Sequence, residues 1–225
     1  MAESNKAPSS SLVSVIGSQF LAPHQLDIIV DRISSGILLI SDINHKIMFK
    51  VKPCDSFFHE QRVLLDADDK PIVVMRNKSM TAHDGWYVFR GDSESKSDMI
   101  FTTKRHCVIQ LFKSDVDVFL ANKTSSKNVC DFKVEGSRSK RNCTIYMGDT
   151  STMIAQMSKM LSSENIIKFV NEKFKVTISP NVDFAFVITI IAIVEAMEDS
   201  HKKKSKGVVQ VVGGVTNVVG LILLL

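Results

Sequence analysis

Cysteine is scarce in this sequence, and its first residues show no targeting signal. The four cysteines, Cys54, Cys107, Cys130 and Cys143, lie far apart and form no C-x-x-C pair. The opening residues, MAESNKAPSS, are polar and lack the charged and then apolar layout of a secretory signal. Because disulfide frameworks and signal peptides mark secreted domains, we expect reduced, buried thiols in a cytoplasmic or nuclear protein that is not secreted.

A general excess of basic charge is also missing. The formal net charge is +4, and the segment 201–206 (HKKKSK) carries four lysines and no acidic residue. The remainder of the chain is therefore neutral, which disfavours a broad basic face for nucleic acid. Direct DNA binding is not expected.

Enzyme signatures are absent as well. The sequence contains neither the G-x-x-x-x-G-K-[ST] nor the G-x-G-x-x-G arrangement that cradles phosphates. His83 and Asp84 form an adjacent acid–base pair, but no nucleophile motif accompanies them, so a structural role in a hairpin is favoured. We expect no enzyme, no catalytic residue and no cofactor.

Metal-ligand spacing is missing too. Asp66, Asp68 and Asp69 resemble the start of a calcium loop, but the glycine and the glutamate that complete such a loop are absent. His106 and Cys107 are adjacent in a predicted strand, where neighbouring side chains point in opposite directions and cannot bind one ion together. No metal site is predicted.

What the sequence does contain is period-two alternation from residue 26 to residue 178. In KIMFKVK (46–52), Ile47, Phe49 and Val51 alternate with lysines, and DFKVE (131–135) and KFKVTI (173–178) repeat the pattern. Alternation of this kind is typical of antiparallel strands with one wet face. About a dozen short strands predict a barrel or sandwich; the other candidates are 26–33, 37–42, 61–66, 72–76, 85–91, 98–104, 107–113, 116–121, 142–148 and 152–159.

Polar turns and one short helix complete the local pattern. LISDINHKIMF and LLDADDKPIVV share D-x-[N/D]-x-K between apolar runs, which is hairpin chemistry supplied by Asp and Asn. Residues 161–172 allow a short helix capped by Ser162 or Ser163.

The stretch NVDFAFVITIIAIVEAMED (181–199) is apolar on every side. Its uncharged run of eleven residues rises only about 16 Å as a helix, against roughly 30 Å of hydrocarbon in a bilayer. A helix without a polar face must be enclosed, and a barrel of about a dozen strands is wide enough to enclose one. We therefore predict a mainly β fold, a closed antiparallel barrel around a buried helix at 182–198. The barrel domain spans 12–199, with a flexible leader (1–11) and a basic linker plus apolar tail (200–225).

Several stretches carry a family resemblance in addition. The chain resembles the plant LURP-one-related family, whose domain is similar to the C-terminal domain of tubby proteins and to phospholipid scramblases. The matching stretches follow the family order and cover nearly everything from Val13 to Glu198; they include VSVIGSQFLAP (13–23), VLLDADDKPIVVMRNK (63–78), TAHDGWYVFRG (81–91), DVFLANKT (117–124), VCDFKVEGS (129–137) and VTISPNVDFAFVITIIAIVEAME (176–198).

The resemblance implies a twelve-stranded barrel around a C-terminal hydrophobic helix, in agreement with the pattern of the residues. It also implies a link to plant pathogen defence and, by analogy with tubby, membrane-tethered transcription regulation with phosphoinositide binding. The spaced Lys and Arg with which tubby proteins hold lipid phosphates do not align onto specific positions here, so no site residue is carried over.

Two basic features remain as contacts for a lipid headgroup or another anion. One is a hairpin tip, and the other is a lysine run directly before the uncharged residues 207–225, which rise about 28 Å if helical. A solvated turn is the alternative for the tip. For the end of the chain, a tail anchor, a floppy extension and a mispredicted gene end stay open. The expected partners are an anionic phospholipid membrane or an unknown protein, bound by a monomer; the candidate residues are Arg138, Lys140, Arg141, Lys202, Lys203, Lys204 and Lys206.

Overall fold

The described residues form twelve β-strands and one long helix. The computed structural model describes residues 12–33, 36–54, 60–77, 85–107, 114–122, 129–137, 142–148, 150–160 and 172–200. The helix, α1, covers residues 184–200. The strands are β1 Leu26–Arg32, β2 Leu38–Asp42, β3 Ile47–Cys54, β4 Gln61–Asp66, β5 Pro71–Asn77, β6 Gly85–Arg90, β7 Met99–Cys107, β8 Ser114–Leu120, β9 Phe132–Ser137, β10 Asn142–Met147, β11 Met153–Lys159 and β12 Glu172–Ile178.

The strands form one closed barrel in which sequence neighbours are also spatial neighbours. All twelve pairings are antiparallel, and β1 closes the sheet by pairing with β12, with Leu26 opposite Ile178. The helix runs through the barrel. We call the end at which α1 begins the cap end, and the end at which α1 leads into residues 201–225 the tail end.

Alternating side chains build the wall, as the sequence predicts. In β3, Phe49 and Val51 are buried while Lys50 and Lys52 are partly exposed. Ile47, predicted on the same face, is 40% exposed, because the pairing with β2 shifts register between Phe49 and Ile47. Phe174, Val176 and Ile178 of β12 alternate in the same way. Apolar residues of period two therefore face the interior, and the predicted closed barrel is confirmed.

Two local predictions differ from the structure. The break predicted between the strands 98–104 and 107–113 is wrong, because β7 continues through Arg105 to Cys107; residues 108–113 lie outside the described residues. The apolar alternation ends there, since Arg105, which pairs with buried Val116, has the inward parity of Phe101 and Thr103 but is charged. The helix predicted at 161–172 lies outside the described residues except for Glu172, which belongs to β12.

Two hairpins use the same Asp-based turn. Asp42 Oδ1 accepts hydrogen bonds from the N–H groups of Asn44 (2.8 Å) and Lys46 (2.9 Å). Asp66 Oδ1 accepts equivalent bonds from residues 68 and 70, both 2.9 Å. The repeated D-x-[N/D]-x-K pattern is therefore a repeated hairpin turn, as predicted.

The helix α1 is enclosed by the barrel wall. Residues 185–197 are all buried, and Phe186 packs edge-on against Phe101 of β7 and Phe132 of β9, with ring centroids 5.3 and 4.8 Å apart. One void between α1 and strands β9–β11 measures about 10 Å³, the space of a single water. The interior described here is thus filled by side chains, and the predicted buried helix is confirmed.

The helix begins two residues later than the predicted 182–198, because Asp183 is its N-cap. Within the described part of the chain, no helix combines the length and the apolarity that crossing a bilayer requires. Residues 207–225 lie outside that part.

Candidate functional site

At the cap end, one buried carboxylate joins the helix to the start of the chain. Asp183 is fully buried, and its Oδ1 accepts a 3.0 Å hydrogen bond from the Phe186 N–H in the first turn of α1. Its Oδ2 accepts three more, from the N–H groups of Val15 (3.1 Å), Ile16 (2.7 Å) and Gly17 (3.0 Å). Successive backbone N–H groups around one carboxylate form an anion-binding nest, which this chain fills with its own side chain.

The residues that make this nest belong to a segment, 12–22, that we call the strap. The Val13 N–H donates to the Asn181 carbonyl (3.0 Å), and the Asn181 N–H donates to the Ala22 carbonyl (2.7 Å). Arg90 of β6 donates from Nη1 to the Ile16 carbonyl at 2.8 Å. Helix start, strap and barrel rim are therefore one hydrogen-bonded unit.

At the tail end, two arginines from the barrel wall meet the acidic end of α1. Arg32 of β1 donates to Glu195 at 3.3 Å and also pairs with Asp199. Arg62 of β4 contacts the other oxygen of Asp199 at 3.2 Å. Because Glu195 and Arg62 are 1% and 5% exposed, these are largely desolvated ions that depend on their partners.

Glu60 and Ser200 extend this group, which we call the tail-end network. Glu60 lies 3.4 Å from the Arg62 guanidinium and accepts a 2.8 Å hydrogen bond from the Ser200 hydroxyl. The same hydroxyl is 3.2 Å from the Ala196 carbonyl, four residues back in the helix. The network therefore ties the last described turn of α1 to the wall at β1 and at the start of β4.

Sequence reasoning missed the tail-end network, although a signal for it exists. Arg32 has the same parity as Ile28 and Val30, and Arg62 has the same parity as Leu64. An arginine on the inward parity of a strand needs an acidic partner inside the barrel. The acidic residues of α1 near its C-terminal end are those partners.

The predicted basic residues all lie outside the described residues. Their flanking elements are described, however. Ser137 and Asn142 on either side of the predicted tip pair directly. β1 ends at Arg32 at the tail end, and antiparallel pairing through β12, β11 and β10 makes β10 begin, at Asn142, at that same end. The lysine run follows Ser200, the last described residue of α1. The described boundaries of both basic segments are thus at the tail end; the residues concerned are Arg138, Lys140, Arg141, Lys202, Lys203, Lys204 and Lys206.

The charge balance of the described turns at the cap end is opposite to that of the predicted basic segments. Taken together, the turns 43–46, 67–70 and 91–98 contain five acidic residues and three lysines, although 43–46 itself has only a lysine. The ammonium groups of Lys50 (2.8 Å) and Lys52 (2.9 Å) hydrogen-bond to Asp69 and hold the pKa of its carboxyl down at about 2. The charged residues of these turns are Asp68, Asp69, Asp92, Glu94 and Asp98 against Lys46, Lys70 and Lys96.

The other chemistry-bearing motifs form no site in the described residues. His83 and Asp84 lie outside them. Asp66, Asp68 and Asp69 lie in the β4–β5 turn, where Asp66 accepts backbone N–H groups and Asp69 binds lysines. Among the described residues, no three His, Cys, Asp or Glu side chains are grouped so as to hold a metal ion. Cys130 and Cys143 lie buried as thiols.

The geometry defines a closed β barrel filled by a helix; the buried charged residues of the described part lie at its two ends, Asp183 at the cap end and Arg62 and Glu195 at the tail end. Residues 30–195 match the family described as LURP-one-related. The chain belongs to the LURP-one-related family.

Relatives from Arabidopsis thaliana extend over most of the chain. Protein LURP-one-related 10 is 36% identical over 195 residues, which cover 84% of this chain and 100% of that protein. Protein LURP1 is 36% identical over 188 residues, covering 82% of this chain and 89% of its own length. A crystal structure of an Arabidopsis thaliana protein superposes with a TM-score of 0.65 at 32% identity, covering 82% of this chain and 98% of that one.

Proposed function

We propose that this protein is a non-enzymatic binding module whose tail end attaches to anionic phospholipid membranes. One observation carries the proposal. The described boundaries of both predicted basic segments lie at the tail end, and the acidic turns lie at the cap end. Basic residues close to an anionic leaflet contribute about 1 kcal/mol each to binding. A barrel whose two ends carry opposite charge would approach an anionic membrane with its tail end first.

The finer part of the proposal follows the family resemblance. The domain is similar to tubby proteins and phospholipid scramblases, which favours phosphoinositide headgroups as ligands and a membrane-tethered role in transcription and plant defence. A scramblase activity is not part of the proposal, because a barrel interior filled by α1 offers lipid headgroups no path.

Vesicle flotation of the full-length chain tests the membrane attachment. The vesicles contain phosphatidylcholine alone, or with phosphatidylserine, or with a phosphoinositide. Replacing Arg138, Lys140 and Arg141 by Gln, and separately the four lysines of 202–206, should each weaken anionic binding by at least tenfold at low salt. The matched control replaces Lys46, Lys70 and Lys96 by Gln, which removes three positive charges at the cap end and should leave binding unchanged.

Equal binding by the control and the tail-end variants would refute the proposed orientation. No binding of the unmodified chain to any anionic vesicle would remove the membrane function. Binding that survives a high-salt wash and is lost on truncation after Lys206 would assign the attachment to residues 207–225 as a tail anchor instead.

A soluble scaffold that binds a protein partner, with no lipid or DNA role, is the second candidate. Exposed apolar side chains at the cap end favour it: Leu12 is 69% exposed and Ile43 is 64% exposed. A partner whose binding is lost in Ile43→Asp and kept in the tail-end Gln variants would support this alternative.

A further inference from the structure

A serine hydroxyl at the tail end lies among acidic groups. Ser200 donates to Glu60 at 2.8 Å, and its neighbour Asp199 bridges Arg32 and Arg62. The tail-end network contains three carboxylates, those of Glu60, Glu195 and Asp199, against two guanidinium groups. Among the described residues, the network therefore has a formal net charge of −1 before any charge is added.

Two further features make position 200 sensitive to negative charge. The Ser200 Oγ lies 3.2 Å from the Ala196 carbonyl oxygen, a second acceptor that would repel an anion. Glu60 accepts the Ser200 hydrogen, so a group without a hydrogen to donate would meet that carboxylate with repulsion. An added anion at Ser200 cannot keep the present contact.

We propose that Ser200 is a phosphorylation site that switches the tail end. A protein kinase would transfer the γ-phosphoryl group of a nucleoside triphosphate to Ser200 Oγ. The Oγ–P bond forms, the bond from the γ-phosphorus to the bridging oxygen breaks, the diphosphate leaves with the electron pair, and the hydroxyl proton passes to the kinase base. The phosphate then separates Ser200 from Glu60 and loosens the end of α1.

The switch also acts on the proposed membrane attachment, and this part rests on the proposed function. Phosphoserine carries about −1.5 to −2 charges at neutral pH. It would precede the lysines of 202–206 directly in sequence. Each unit of charge near an anionic surface changes binding about fivefold, so phosphorylation should weaken attachment by roughly tenfold.

Hydrogen exchange on full-length variants tests the structural switch. Ser200→Glu should accelerate amide exchange in residues 197–200 by at least about fivefold, while Ser200→Ala, which removes the hydroxyl without adding charge, has a smaller effect. The matched control is Ser205→Glu, which adds the same charge beside the lysines but outside α1 as described; it should leave exchange in 197–200 unchanged. Adding Glu60→Gln to Ser200→Glu should restore most of the protection. Unchanged exchange in Ser200→Glu, or no rescue by Glu60→Gln, overturns the switch.

Two measurements complete the test. Mass spectrometry of the chain isolated from its own cells, with a phosphatase-treated control, should find phosphate on Ser200; its absence overturns the modification.

In flotation with phosphatidylserine vesicles, Ser200→Glu and Ser205→Glu should both bind about fivefold more weakly than the unmodified chain. If the unmodified chain does not bind vesicles, the proposed function fails while the exchange result still decides the structural switch.

Discussion

The Ile16 N–H donates a 2.7 Å hydrogen bond to Asp183 Oδ2, across 167 residues of sequence. The same carboxylate caps α1, so one side chain fixes both the helix start and the strap that crosses the cap end. Holding the strap over the start of α1 therefore depends on a residue from each end of the domain.

Replacing Asp183 by Ala should destabilise the protein by about 3 kcal/mol. The substitution removes the N-cap, worth about 1 kcal/mol, and leaves backbone donors of the strap without an acceptor, at about 1–3 kcal/mol for each that stays buried. Urea unfolding measures the loss, and hydrogen exchange should rise at Val15, Ile16 and Gly17. Asp183→Asn keeps one carbonyl oxygen and should lose less. An Ala variant as stable as the unmodified protein would contradict this role.

Gly136 should not tolerate a side chain. It has φ +123° in β9, and an added Cβ would lie 2.3 Å from the Asn142 carbonyl oxygen across the hairpin. Backbone strain and the clash together predict a loss of about 3 kcal/mol for Gly136→Ala in thermal unfolding. Gly36→Ala is the matched control, because Gly36 also has positive φ (+79°) but nothing lies within 4 Å; it should lose about 1 kcal/mol. Equal losses would contradict the close approach.

Asp69 should titrate well below an ordinary aspartate. Hydrogen bonds from Lys50 and then Lys52 hold its pKa at about 2, against an ordinary 3.8. Since the folded pKa is the lower one, the stabilisation is present above about pH 4 and is lost as the pH falls through 2. Carboxyl ¹³C shifts followed by NMR should give this pKa, and Lys50→Met should raise it. A pKa near 3.8 in the unmodified protein would show that the two lysines do not bind Asp69 in solution.

Arg62 and Asp199 should be energetically coupled. Arg62→Met removes a guanidinium group that both Glu60 and Asp199 contact. Because these carboxylates are partly buried, the free energy of unfolding in urea should fall by about 3 kcal/mol. The stability loss of the double variant Arg62→Met/Asp199→Asn should be smaller than the sum of the two single losses, by about 1 kcal/mol or more. Lys173→Met, which breaks a surface pair with Asp31 (3.2 Å), is the control and should lose under about 1 kcal/mol. Strict additivity would argue against the network.

The barrel could be predicted from the sequence because its strands obey a local rule. Phe174, Val176 and Ile178 alternate with polar residues, and any strand with one buried face produces that pattern. The helix could be predicted because an apolar run with no polar face requires enclosure. Each of these two patterns is formed by residues that are close together in the sequence.

The ends of the barrel could not be predicted in the same way. The contact of Asp183 with Ile16 joins distant parts of the chain, and a lone aspartate before an apolar run indicates only an N-cap. The continuation of β7 past Lys104 could not be predicted, because the next residue of inward parity is the charged Arg105. Polar groups that are buried and paired depend on tertiary structure, which a local pattern does not contain.

The most direct test of the account is the stability of Ile190→Asp in buffer free of lipid and detergent. Ile190 is 1% exposed in the middle of α1, and a carboxylate there has no partner in the apolar void between helix and wall. Circular dichroism and NMR should show an unfolded or aggregated chain, while Ile190→Val stays folded with a loss of about 1 kcal/mol. A soluble, cooperatively folded Ile190→Asp protein would contradict the claim that α1 is the core of the barrel.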